Sequence, residues 1–155
     1  MDRSITETDR RFMQLAIDEA RLSLAEGGIP IGAVLARGEE LIGQGHNRRV
    51  QTGNPLSHGE TDCLFNIGRI GSYAGTTMYS TLDPCYMCGG TAVQFKVPRV
   101  VFGESVNFTG SHAFMAENPY FNIVVIDLVL PECIAMMGQW IAANPKLWFE
   151  DIGEL

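Results

Sequence analysis

The chain has 155 residues and a mass of 17.0 kDa, long enough to bury a core without disulfide staples. Apolar residues make up 46% and charged residues 19%, the balance of a globular rather than a disordered chain. Eighteen acidic against 11 basic side chains give a net charge of −7, and neither residues 1–77 (8 basic, 10 acidic) nor residues 78–155 (3 basic, 8 acidic) carry the basic stripe that tracking nucleic-acid phosphates requires.

In chain order, the amino terminus lacks the apolar h-region of a signal peptide. Residues 9–26 put Met13, Ala16, Ile17, Ala20 and Leu24 on one helical stripe, with Thr8 as cap and Gly27-Gly28 as stop. Residues 30–36 and 41–46 flank the turn Arg37-Gly38-Glu39-Glu40 and predict a β-hairpin. A polar loop spans 48–57. A helix is expected from His58, capped by Ser57, to about Gly68, followed by a strand over 76–81. Asp83-Pro84 has the form of an N-cap and first helical residue. A strand at 99–103, a long loop over 104–120 with room for one helical turn, and a strand at 121–128 follow. Helices over 131–144 and 145–152 close the chain. The apolar run Ile123–Leu130, broken by Asp127, is too short to span a bilayer. The expectation is one cytoplasmic domain over residues 1–155, an α/β sandwich whose central sheet is partly antiparallel.

Two expected helix starts carry reactive side chains, Ser57-His58-Gly59-Glu60 and Asp83-Pro84-Cys85-Tyr86-Met87-Cys88. One His and two Cys suit zinc, and three protein ligands leave a fourth position open, as in catalytic sites. Cys85 and Cys88 at i, i+3 share a helix face, and a helix amino end favours their thiolates. Glu60 need not bind metal; a carboxylate beside a metal-activated water serves as base and then acid. Blander readings stand beside this one. Ser57-x-x-Glu60 is also a capping box. Cys85-x-x-Cys88 alone fits a redox pair. A structural zinc would need a fourth ligand from Cys63, His46, His112 or Cys133, none of which has a partner at knuckle spacing, and Cys63 and Cys133 sit in apolar surroundings that suit core packing.

The order H-x-E…P-C-x-x-C resembles the zinc nucleobase deaminases. Gly27-Gly28-Ile29-Pro30-Ile31-Gly32, Gly45-His46-Asn47, Gly103-Glu104-Ser105-Val106-Asn107-Phe108 and the tail Trp148–Glu154 extend the resemblance over nearly the whole chain. The sequence resembles the cytidine-deaminase-like superfamily and, within it, the small fungal-type cytosine deaminases. The resemblance implies a three-layer α/β/α sandwich with a mixed five-stranded sheet, one zinc per subunit and a homodimer. It places His58, Cys85 and Cys88 on zinc and Glu60 as proton shuttle. It puts Asn47 and the Gly59 N–H on the base edge, Ile31 on a ring face, Phe108 and Trp148 as an aromatic lid, and Asp151 on the ligand's polar edge. Asp83, also placed at the substrate, stands where those enzymes carry Ser, and Tyr86 where they carry Asp. The loop Asn54-Pro55-Leu56 and residues 109–120 differ as well.

The expected reaction is hydrolytic deamination of a free nucleobase, cytosine first. Creatinine, an aminotriazine, 5-azacytosine and guanine present the same amidine carbon and remain open as substrates. A tRNA adenosine deaminase shares the zinc motif, but a chain of net charge −7 lacks the counter-charge for an anionic anticodon loop. A non-catalytic zinc module would leave Glu60 without a task.

Overall fold

The computed structural model describes residues 3–154. Its elements run α1 (Glu7–Ala25), β1 (Gly32–Arg37), β2 (Glu40–His46), α2 (Arg49–Thr52), α3 (Gly59–Ile67), β3 (Thr76–Ser80), α4 (Tyr86–Phe95), β4 (Arg99–Phe102), α5 (His112–Glu117), β5 (Val124–Asp127), α6 (Pro131–Ala143) and α7 (Pro145–Asp151). The five strands lie in the order β2-β1-β3-β4-β5. β1 is antiparallel to both β2 and β3, while β3, β4 and β5 are parallel. The mixed sheet and the hairpin agree with the sequence.

Alternation along the strands sorts the core into two layers. Val34, Ala36, Tyr79, Val101, Val124 and Ile126 pack with Phe12, Met13, Ala16 and Ile17 of α1 and Cys133 of α6. Their neighbours Ala33, Leu35, Met78, Val100, Phe102 and Val125 pack with Cys63 of α3, Ala92 of α4 and Met115 of α5. This is a sheet covered on both faces by helices. A third cluster, Ile29, Ile31, Leu82, Met137, Trp140 and Trp148, closes one end.

Several expectations need correction. α1 begins two residues early because Thr6, not Thr8, is its cap. Thr6 Oγ1 accepts from Asp9 N at 3.2 Å, and Asp9 Oδ2 accepts from Thr6 N at 2.9 Å, a reciprocal capping box. Leu24 is exposed rather than part of the buried stripe. Residues 49–52, read as loop, form the single helical turn α2. The last strand is shorter than expected, Val124–Asp127.

One glycine matters for placing the site. A Cβ on Gly45 would lie 2.4 Å from Cys63 N, so only glycine lets the α3 backbone rest directly on β2. That contact sets the amino end of α3 beside the end of β3, where the reactive residues meet.

Candidate active site

His58 and Cys85 are themselves the N-cap residues of α3 and α4, both with extended backbone. The sequence placed the caps at Ser57 and Asp83, with Pro84 opening the second helix; the structure corrects all three. His58 N donates to Thr61 Oγ1 at 2.9 Å, which makes Thr61 the reciprocal partner at the start of α3. Oδ2 of Asp83 is already occupied, accepting from Gly110 N at 2.7 Å and lying 2.5 Å from His112 Nδ1.

These caps bring the three donors together. His58 Nδ1 is 3.4 Å from Cys85 Sγ and 3.8 Å from Cys88 Sγ. A tetrahedral zinc with bonds of about 2.0 Å to nitrogen and 2.3 Å to sulfur separates its ligands by roughly 3.5–3.8 Å, so donor set and spacing fit zinc. Among the described residues no other His, Cys, Asp or Glu joins the group. Cys63 and Cys133 are core, His46 lies between Glu19 and Glu26, and His112 pairs with Asp83. With no fourth protein ligand, the arrangement is that of an open, catalytic site.

The far nitrogen of the histidine is held too. His58 Nε2 is 3.1 Å from Asp151 Oδ1, and the same oxygen forms an ion pair with Arg49, 3.0 Å from its Nε. A carboxylate behind a ligating imidazole fixes its tautomer and orientation. Burial works to lower the His58 pKa, but Asp151 and Cys85 outweigh it and raise it to about 10. The Cys85 thiol, hydrogen-bonded by Cys88 and facing the imidazole, falls to about 4 against the opposing effect of burial. That thiolate, with burial, pushes Cys88 well up. A bound cation supplies the charge that ionises the second thiol as well.

Glu60 is 3% exposed. Burial, then the charge on Cys85, raises its pKa, while the Ser80 hydroxyl, 2.5 Å from Oε1, opposes the rise. Because Thr61 takes the capping role, the carboxylate of Glu60 is free to face the site. The capping-box reading of Glu60 is thereby set aside.

A cavity of about 450 Å³ opens over this cluster, within the range of small-molecule sites. Ile31, His58, Glu60, Asp83, Cys85, Phe108, Trp148 and Asp151 line it, together with Met87, Ile152 and Glu154 from the quoted motif and tail, and Leu82, which the sequence did not single out. Asn47 and Gly59 are not among its lining residues. Phe108 and Trp148 meet edge to face at 5.7 Å between centroids. Trp148 also belongs to the end cluster of the core, so it is core and cavity wall at once. Asn47 is fully buried: its N donates to Ile31 O at 2.9 Å and its Oδ1 accepts from Arg49 N at 3.0 Å, yet Nδ2 has no partner. The preceding His46 is clamped by Glu19 at 2.7 Å and Glu26 at 2.8 Å, fixing the chain at that point. Ser80, Arg49 and the His46 clamp were missed by sequence reasoning, since no motif marks them.

Residues 6–104 match the model of the cytidine and deoxycytidylate deaminase zinc-binding region. The chain belongs to that deaminase family. Among its relatives, the cytosine deaminase of Candida albicans is 41% identical over 153 residues, covering 97% of this chain and 100% of that one. The tRNA-specific adenosine deaminase of Buchnera aphidicola (subspecies Baizongia pistaciae) is 37% identical, covering 91% and 93%. Among solved structures, the guanine deaminase of Nitrosomonas europaea superposes with a TM-score of 0.72 at 17% identity, covering 90% of this chain and 86% of that one, which shows a shared fold. This deaminase is therefore a zinc-dependent hydrolase of C–N bonds in the cytidine-deaminase-like fold, with His58, Cys85 and Cys88 as the group suited to the metal. Among the described residues no helix is long and apolar enough to cross a membrane.

Proposed function

We propose that this deaminase acts on a free, uncharged nucleobase, cytosine first, converting cytosine and water to uracil and ammonia. One observation carries the reading: among the described residues, the cavity wall holds Glu60, Asp83, Asp151 and Glu154 but no Lys or Arg. Such a wall repels a nucleotide phosphate or an anticodon backbone and accepts a neutral ring. The relative named as a cytosine deaminase, alike over nearly its whole length, supports the same choice.

His58, Cys85 and Cys88 hold the zinc. When bound, the metal supplies a water with a pKa near ~7 and an electropositive centre for developing charge. Glu60 takes the proton of the attacking water and passes it to the ring nitrogen beside the attacked carbon. It then takes the second proton, from the hydroxyl now on the attacked carbon, and delivers it to the amino group; the C–N bond breaks, the C–O bond becomes the carbonyl of uracil, and the group leaves as ammonia rather than as an amide anion. Ser80 donates to Oε1 of that carboxylate and holds it in place. The unpaired Nδ2 of Asn47 is a buried donor awaiting an acceptor, the role a ring carbonyl fills. Gly59 opens α3, so its N–H is among the helix amides without an intrahelical partner and serves as a second donor. Ile31 supports one ring face, and Phe108 and Trp148 keep bulk water out.

The proposal includes a homodimer in the cytoplasm. Phe65 at 86% exposure, Tyr86 at 70%, Phe95 and Phe114 are exposed aromatics on α3, α4 and α5, with Tyr86 meeting Phe114 at 6.2 Å between centroids, and such side chains suit burial against a second copy. Light scattering at micromolar concentration reads this directly. The substrate claim is tested by ammonia release from cytosine, cytidine, deoxycytidylate, guanine, creatinine and tRNA. Release from cytosine is expected; activity confined to nucleosides, nucleotides or tRNA contradicts the reading.

A further inference from the structure

Asp83 offers an observation that the zinc chemistry leaves unused. Its side chain is completely buried, yet only one of its oxygens is satisfied. Oδ2 accepts from Gly110 N and lies 2.5 Å from His112 Nδ1, tying residues 110–112 to the segment just before Cys85. Oδ1 has no hydrogen-bond partner, and Asp83 is part of the cavity wall. A carboxylate oxygen can only accept, so a partner for Oδ1 must bring a hydrogen. Leaving such an oxygen dry and unpaired is costly, and among the described residues the folded chain provides no donor for it.

We infer that Asp83 is a specificity-determining residue whose Oδ1 accepts a hydrogen bond from a ring N–H of the bound heterocycle. This rests on the deaminase reading of the same cavity and goes further. It states that the substrate class is aminated rings carrying a ring N–H donor in addition to the amino group that leaves. Rings in which that N–H is methylated, glycosylated or replaced by an acceptor leave Oδ1 unpaired against a desolvated group, and a site built for a hydrogen bond rejects such analogues strongly.

The two oxygens divide the work, and this makes the inference separable from a structural role. Asp83→Asn is nearly isosteric. Its remaining oxygen keeps the tie to Gly110 and His112, while the amide NH2 takes the place of Oδ1 and reverses the polarity there. The experiment measures kcat/KM for zinc-loaded wild type and Asp83→Asn on matched pairs of free bases, one member with a ring N–H and the other with N–CH3. Thermal midpoints are recorded for both proteins. Wild type is expected to prefer the N–H member by about 100-fold or more. Asp83→Asn is expected to shrink that ratio at least about 10-fold, with the midpoint little changed. Asp83→Ser, whose hydroxyl both donates and accepts and so does not enforce a donor on the ligand, is measured alongside and is expected to shrink the ratio too. An unchanged ratio in a folded, active Asp83→Asn, or a uniform loss on both members of every pair, overturns the inference while leaving the deaminase reading intact. A wild-type protein that releases no ammonia from any heterocycle overturns the deaminase reading and this inference together.

Discussion

Asp151 Oδ1 lies 3.1 Å from His58 Nε2, on the side of the imidazole opposite the two thiols. The final helix thus reaches back to orient a metal ligand 93 positions earlier in the chain. Arg49 on α2 pairs with the same carboxylate and holds it in place. Asp151→Asn is therefore expected to retain the fold and weaken zinc affinity about 10–100-fold. Competition against a chelator of known affinity measures it, and unchanged affinity would remove Asp151 from the support of the site.

The aromatic pair over the cavity gives a second expectation. Trp148 is buried in the core cluster, so its truncation mixes stability with function. Phe108 is only packed against that cluster and is the cleaner probe. Phe108→Leu removes the edge-to-face contact at modest structural cost. A rise in KM of about 3–10-fold with little change in zinc content is expected. Steady-state kinetics with metal analysis checks it, and an unaltered KM argues against a lid.

A third expectation concerns stability and pH away from the site. Asp9 caps α1 through Thr6, and its Oδ1 is 2.6 Å from Arg99 Nη1 and 2.7 Å from the Tyr79 hydroxyl. Burial works to raise its pKa, but Arg99, Thr6 and Tyr79 together hold it well below the usual carboxylate range. A depressed folded-state pKa means a contribution that is complete above the unfolded value near ~3.9 and is lost as pH falls below it toward the folded value. Asp9→Asn should thus cost about 2–3 kcal/mol at pH 7. The gap to wild type should narrow steadily below about pH 4. Urea titrations at several pH values read this, and a gap that widens on acidification contradicts the account.

Much of this molecule is legible in its sequence, and the reasons differ by element. The five strands and the long helices announce themselves by alternation and by helical stripes that the sheet then buries. His58, Glu60, Cys85 and Cys88 are legible because few residue types can hold zinc and activate water, and their spacing restricts the options. The three cap assignments, for α1, α3 and α4, fell one or two residues out, while α6 and α7 begin at Pro131 and Pro145 as expected. Thr6 rather than Thr8 caps α1 because Asp9 sits three residues after it to close the box, and Asp83 does not cap α4 because Gly110 and His112 claim its carboxylate. α2 is a single turn, too short to show a period. Ser80 ends an ordinary strand, and Arg49 lies in a polar stretch. Their roles come from tertiary contacts with Glu60 and Asp151 that no local pattern records.

The central claim is that Glu60 moves protons for zinc-dependent deamination while His58, Cys85 and Cys88 alone hold the metal. The direct test is ammonia release from cytosine by wild type and Glu60→Gln, with zinc content measured on the same samples. The account predicts about one zinc per chain in both proteins. It predicts turnover by wild type and a loss of about 1,000-fold or more in the variant. A Glu60→Gln protein with near-normal turnover, or an active wild type free of zinc, would contradict it.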